Sequence, residues 1–239
     1  MKRTNDLGQP IGEDVPGWTP RRPPDPDVLE GRTCRLERFA PHHDEALFGA
    51  LDEDRSGRPW TYLSVGPCTA PEQFRQVADE LRADPGLVTL AVLVDDEPLG
   101  MASYLRIDAA FGTVEVGWIL FAPRLQRTTA ATETMYLMAR HVFDDLGYRR
   151  YEWKCDALNA PSMQAARRLG FGYEGTWRQA TMYKGRNRDT AWFAMTDADW
   201  RLLRPAYESW LDPANQASGR QRLSLSELTA SALQRMSGG

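Results

Sequence analysis

The run from Thr113 to Gly147, TVEVGWILFAPRLQRTTAATETMYLMARHVFDDLG, constrains the chain more than any other stretch. It opens with Val114, Val116, Trp118, Leu120 and neighbours rich in β-branched and aromatic residues, a composition that favours a pleated strand. Ala122-Pro123 ends that strand, because proline has no N–H to give to a ladder. Small residues, Thr128-Thr129-Ala130-Ala131-Thr132, then begin a helix whose apolar side chains recur at Met135, Met138, Val142, Phe143 and Leu146. A strand, a polar turn and an uncluttered helix N-terminus together make an anion site, since the unpaired N–H groups and the positive end of the helix dipole both favour a phosphate. A plain strand-to-helix crossover has the same local pattern, so the rest of the chain must decide.

The neighbouring segments predict a sheet around this crossover. Leu87 to Asp95 and Leu99 to Asp108 read as a hairpin, and Thr113 to Phe121 follows as a third antiparallel strand. Arg149 to Asp156 must return beside it through the helix, which makes that one pair parallel. Upstream, Thr33 to Phe39 reads as the first strand, and His42 to Leu51 and Pro71 to Asp84 as helices. Between those helices Trp60 to Gly66 reads as a short extended segment or a loop, the region where acceptor contacts are expected. Downstream, Asn159 suits an N-cap, Pro161 a first turn and Gly170 a helix stop. Gly172 to Tyr183 and Asp189 to Thr196 are the last strands. From Asp197 the pattern is helical, with a kink or division expected at Pro205. The SLSELTASALQRM segment is a weaker amphipathic helix, peripheral or an oligomer contact.

Residues 1–30 are rich in Pro, Gly, Asp and Arg and lack apolar periodicity, so they read as an extended leader. Two arrangements are open for it, a free tail or a strap anchored by Trp18. Residues 31–197 then form one domain and residues 198–239 a helical extension. With 42% hydrophobic and 26% charged residues the 239-residue chain has ample material for one core. Its formal net charge of -4 gives no general attraction to nucleic acid. That class would need a basic face such as Arg149, Arg150, Arg167 and Arg168 brought together. No apolar run approaches the roughly 20 residues needed to span a bilayer. The start of the chain lacks the apolar core of a secretory signal, so the expectation is a cytoplasmic protein. Cys34, Cys68 and Cys155 are scattered and read as reduced and structural. His42, His43 and His141 stand in no metal-ligand pattern, and no metal is expected.

One stretch is more specific. Asn159, Ser162, Ala166, Leu169-Gly170-Phe171 and Tyr173-Glu174-Gly175 follow the spacing N-x-x-S-x-x-x-A-x-x-L-G-F-x-x-E-G, and Arg188-Asp189 precedes the last strand. In these motifs the chain resembles the GNAT superfamily of acyl-CoA-dependent N-acyltransferases, and within it the RimJ/RimL-like group, over about Gly31 to Thr196. The resemblance implies an α+β GNAT fold: a mixed, mainly antiparallel sheet of six or seven strands with one parallel, splayed pair, flanked by helices. It also implies acetyl-CoA as cofactor. Backbone groups of Ile119, Leu120 and Phe121 would pair with pantetheine, and Gln126, Arg127, Thr128, Thr129, Ala130, Ala131 and Thr132 would form the phosphate loop. Thr129 stands where the group's loop has glycine, which bears on cofactor affinity. Arg124 and Arg127 would add charge-assisted phosphate contacts.

The implied chemistry is direct transfer of an acetyl group to a primary amine, of a protein N-terminus or a small molecule. The amine must lose a proton to attack, and the leaving thiolate needs a donor. Ser162 is the position the resemblance favours as acid, and a first-turn capping role fits it equally. Asn159 would bond the cofactor as well as cap the helix. Glu115 is the first choice of base, as a partly buried carboxylate; Glu174 is an alternative. The ribosomal-protein enzymes of the group are expected to have a glutamate where this chain has Thr181, which leaves Tyr183 and Tyr173 as substitutes. Of the tryptophans, Trp60, Trp118, Trp153, Trp177 and Trp192 read mostly as strand and core residues, and Trp60 and Trp177 also suit an aromatic acceptor pocket. The other class left open is a non-catalytic acyl-CoA-binding or regulatory protein. A homodimer would follow from exposed apolar residues on the C-terminal helices.

Overall fold

The structure, a computed structural model, describes residues 3–219 and 221–237. Eight strands form one sheet in the order β1-β2-β3-β4-β5-β6-β8-β7. They are β1 Val28–Glu30, β2 Arg35–Arg38, β3 Leu87–Val94, β4 Glu97–Asp108, β5 Thr113–Phe121, β6 Arg150–Asp156, β7 Gly172–Tyr183 and β8 Arg186–Thr196. Every pair is antiparallel except β5–β6, as the crossover requires. The strand beyond the expected six or seven is β1, at the end of the segment read as leader. It pairs with β2 from Val28↔Glu37 to Glu30↔Arg35, and three residues are too few to leave a periodic signal. Further up the leader, Trp18 Nε1 donates to the Ala110 carbonyl at 2.8 Å, so the strap arrangement is the one adopted.

Six helices complete the fold: α1 Asp44–Asp52, α2 Pro71–Ala83, α3 Thr129–Arg140, α4 Ala160–Arg168, α5 Asp197–Leu211 and α6 Leu225–Ser237. Cross-strand partners share a face, so the register fixes two surfaces. One runs through Tyr104↔Val116, Val116↔Trp153 and Trp153↔Phe193. It packs on α3, where Tyr104 donates to the Met138 carbonyl at 2.9 Å, and on α4, where Trp153 Nε1 donates to Ser162 Oγ at 3.0 Å. The other runs through Leu87↔Leu105, Leu105↔Glu115, Glu115↔Glu152 and Lys154↔Trp192. There α1 and α2 cover the β3–β4 end, while β7 is exposed along almost its whole length.

Helix α5 runs unbroken through Pro205, which corrects the expected division. Pro205 is exposed, so the carbonyl it deprives of a partner, that of Arg201, is on the exposed side as well. The apolar side chains of α5 and α6 turn inward: Leu203, Tyr207, Trp210, Leu225 and Ala232 are all buried. The premise for a dimer face on these helices is therefore absent among their described side chains. No described helix is long and apolar enough to cross a membrane.

Candidate active site

Strands β5 and β6 pair only from Thr113↔Arg150 to Val116↔Trp153 and then part. Beyond that point β5 follows β4, through Gly117↔Ser103, Leu120↔Met101 and Phe121↔Gly100. Meanwhile Lys154, Cys155 and Asp156 of β6 follow β8. A bulge starts the divergence: Trp118 and Ile119 together oppose Ala102, and Trp118 takes a left-handed φ of 50°. The edge of Gly117–Phe121 that faces β6 is thus left without a strand partner. Ile119, Leu120 and Phe121, expected to meet pantetheine, lie on that edge. The Phe121 carbonyl is already taken by Gln126 Nε2 at 2.8 Å, so Gln126 shapes the loop through its side chain.

The open edge leads to the start of α3. The turn into the helix is made by Arg127, whose φ is 62°, and Thr128 caps it, its Oγ1 accepting from Ala131 N at 3.1 Å. Thr129 is the first helical residue and has no left-handed φ. The N–H groups of Arg127, Thr129 and Ala130 donate to no described protein acceptor. Three such donors at a helix N-terminus are what an anionic phosphate requires. Ala130 and Thr132 are buried in the first turn, where Thr132 Oγ1 accepts from Arg168 at 3.1 Å. Arg124 is committed elsewhere, forked onto Glu97 at 2.6 and 2.8 Å and reaching Glu53 at 2.7 Å.

Across the opening stands the N-terminus of α4. Asn159 Oδ1 accepts from Ser162 N at 3.2 Å, so Asn159 is its N-cap. Ser162 Oγ accepts the indole N–H of Trp153, which leaves the hydroxyl's own proton to be given away. Beside them burial pushes the Cys155 thiol up, with Ser162 pulling the other way, so this sulfur stays a thiol.

Glu115 is 3% exposed, and its Oε2 is held by Arg106 at 2.7 Å and by Lys154 at 2.9 Å. The carboxylate expected to be partly buried is thus almost wholly buried and ion-paired. Lys154 also meets Glu152 at 2.7 Å, and Arg150 links Glu152 to Glu174 at 2.6 and 2.5 Å. Glu174, the alternative base, is therefore the outer end of an ion-pair chain. Tyr173 is exposed, and its hydroxyl meets Thr176 at 2.8 Å. Tyr183 donates to Asp156 Oδ2 at 2.7 Å. Of the two tryptophans considered for an acceptor pocket, Trp60 is buried against Phe74, whereas Trp177 is exposed and stacks on Trp192 at 4.1 Å.

Sequence reasoning missed Lys154, Arg106, Asp156 and the Trp153 contact to Ser162. A signal existed for part of this: Arg150, Glu152 and Lys154 alternate, which puts three charges on one strand face. The Arg149, Arg150, Arg167 and Arg168 set does not form a basic face. Arg149 lies over Trp18, Arg150 is ion-paired, Arg167 lies over Phe193 and Arg168 over Trp210.

Glu37, His42 and His43 bring one potential metal-ligand atom each within 4.8 Å of one another. His43 Nδ1 accepts the Ala40 N–H at 3.0 Å, which puts its proton on Nε2, 2.9 Å from Glu37 Oε1. A protonated nitrogen does not ligate, and moving the proton to Nδ1 would set it against the Ala40 N–H. The trio is a clasp between β2 and the entry to α1.

The site is thus a splayed parallel strand pair with a helix start of unpaired N–H groups on one side and a hydroxyl donor on the other. The model of a family described as acetyltransferase (GNAT) domain matches residues 34–172, and the chain belongs to that family. The crystal structure of a GCN5-related N-acetyltransferase from Brucella melitensis is 39% identical, with a TM-score of 0.87, covering 90% of this chain and 100% of that one. The SPbeta prophage-derived N-acetyltransferase YokL of Bacillus subtilis is 28% identical over 172 residues, 72% of this chain and 94% of that protein. A Salmonella typhimurium acetyltransferase that modifies the N-terminal serine of ribosomal protein L7/L12 is 20% identical with a TM-score of 0.62, covering 71% of this chain and 98% of that one. That last likeness is one of fold.

Proposed function

We propose that the protein is an acetyl-CoA-dependent N-acetyltransferase that moves the acetyl group directly to a primary amine. The observation that carries this is the continuity of the unpaired β5 edge with the free N–H groups of Arg127, Thr129 and Ala130, a path lined by main-chain donors from the splay to the helix start. Bound there, acetyl-CoA would supply an activated thioester carbonyl. The β5 edge would orient the pantetheine arm and the α3 N-terminus would hold the pyrophosphate. Ser162, whose proton the Trp153 bond does not use, would protonate the departing sulfur, and Asn159 would hold the helix start that carries it. Because Glu115 is bound by two cations, the acceptor's proton would leave through water on the exposed face, with Glu115 keeping Lys154 and Arg106 in place. Transfer to a free amine with acetyl-CoA as donor goes with a cytoplasmic location.

The paired state of Glu115 also favours the second reading, a protein that binds acyl-CoA without turning it over. Calorimetry with acetyl-CoA and with CoA, followed by turnover on an amine panel, separates the two. Micromolar binding with turnover is expected, and Ser162→Ala should keep the binding while lowering kcat by roughly a hundredfold. Binding without turnover would leave the regulatory reading, and no detectable binding would overturn both.

A further inference from the structure

On the strand face opposite α3 and α4, one cation has no anionic or hydrogen-bonding partner among the described residues, only the Tyr183 ring 5.9 Å from its guanidinium. Arg188 makes no hydrogen bond or ion pair with any described residue, and its Nε is buried. The cations on the same side of its strand are both occupied: Lys184 Nζ donates to the Trp60 carbonyl at 2.7 Å and Arg186 to the Thr61 carbonyl at 3.1 Å. These two bonds tie the β7–β8 hairpin to the loop between α1 and α2. Directly opposite Arg188 in the register stands Thr181, neutral and short. Two carboxylates near Arg188 in chain or register are satisfied elsewhere, Asp156 by Tyr183 and by Leu158 N at 2.8 Å, and Asp189 by Gln179 N at 2.8 Å and Asn187 at 2.9 Å. Farther along the same face of β8, the indole N–H of Trp192 is a second buried donor without an acceptor.

We propose that Arg188 receives a carboxylate carried by the amine acceptor, so that the acceptor is an amino acid or a related amine bearing one negative group. The proposal rests on the transfer reading above. The register places Arg188 suitably: Thr190, two residues away, pairs with Asp156, the last residue of β6 before the turn to Asn159. Two residues of strand span roughly 7 Å, so Arg188 stands one such step along β8 from the position that pairs with the end of β6. A single unpaired guanidinium suits a monoanion, which its planar fork can bind bidentately. Arg188 is half-buried with only its Nε fully shielded, so a carboxylate can reach the guanidinium and supply the acceptor that Nε lacks. Burial, reinforced by Asp156, pushes the Tyr183 hydroxyl up to about 12, so Tyr183 remains a donor and offers Arg188 no anion.

The test uses acetylated products, which have no amine whose own titration would confuse the comparison. The full-length protein, saturated with CoA, is titrated calorimetrically with N-acetylphenylalanine and with N-acetylphenylalaninamide, an aromatic pair chosen for the exposed Trp177. The acid should bind at least tenfold more tightly than the amide. Arg188→Gln should bring the two within twofold by weakening the acid alone, Arg188→Lys should fall between, and CoA affinity should not change in either variant. Equal binding of acid and amide by the wild type, or binding of neither, with CoA binding intact, overturns the proposal. So does an acid preference that survives Arg188→Gln. Failure of CoA itself to bind overturns the transfer reading, and this proposal with it.

Discussion

Thr129 occupies a loop position where glycine was the expectation, and its backbone explains how a threonine fits. Glycine matters in such loops where φ is positive or where a Cβ would block the ligand. Here the left-handed residue is Arg127, two positions earlier, and Thr129 already has helical geometry. Thr129→Gly should therefore leave the calorimetric affinity for acetyl-CoA within about twofold, while the lower helix propensity of glycine relative to threonine costs about 0.3 kcal/mol of stability. A gain of tenfold or more in affinity would show that the threonine side chain obstructs the phosphate.

At the scale of elements, Glu133 of α3 ties the helix to the turn between β1 and β2. It is 5% exposed and accepts from Arg32 N at 2.8 Å, from Thr33 N at 2.6 Å and from the Thr33 hydroxyl. Glu133→Gln would turn an amide N–H₂ towards backbone donors. The expected cost is about 2–3 kcal/mol, read as a fall in Tm of roughly 5–10 °C; an unchanged Tm would mean that the turn does not depend on this clamp. The ion-pair chain between β6 and β7 gives a pH dependence. Burial alone would raise the carboxyl of Glu152, but its bonds to Lys154 and Arg150 outweigh this and hold it below the ordinary 4.5. A carboxyl lowered by folding stabilises the protein above its unfolded pKa, and that contribution fades as pH falls through the lowered folded value. Glu152→Gln should thus flatten the loss of stability measured below about pH 4.5; an acid limb as steep as the wild type's would place the titration elsewhere.

The same elements show what could be read from the chain. The β3–β4 hairpin, the β5–α3–β6 crossover and the Asn159 cap are local patterns, written in alternation, helical spacing and capping residues within a few positions. Glu133 meets Thr33 across 100 residues, Lys184 meets Trp60 across 124, and Glu115 meets Lys154 only through the parallel register. Pairing at that distance leaves no trace in spacing, so Glu115 read as an available base although the fold pairs it. For the same reason Arg188 read as part of a motif, and only the occupied state of its neighbours marks it as free.

For the molecule as a whole, the C-terminal helices belong to the same packed body as the transfer site. Thr229 of α6 donates to the Arg168 carbonyl at the end of α4 at 3.1 Å. The Arg168 guanidinium lies 5.1 Å from the Trp210 ring of α5 and donates to Thr132 in the first turn of α3. One side chain thereby joins the helix that carries Ser162, the helix that begins at the Arg127–Thr128 turn and the C-terminal pair. Leu225, Thr229 and Ala232 are each at most 5% exposed, with Leu228 and Leu233 packed beside them. Removing α6 by ending the chain at Leu223 should cost about 3–5 kcal/mol of apolar burial, a fall in Tm of about 10 °C. Acetyl-CoA should still bind below that transition, because the donors of Arg127, Thr129 and Ala130 lie at the other end of the Arg168 bridge. A truncated chain that melts with the wild type would make α6 an appendage, and one that stays folded but loses acetyl-CoA would mean that Arg168 needs α6 to hold the first turn of α3 in place.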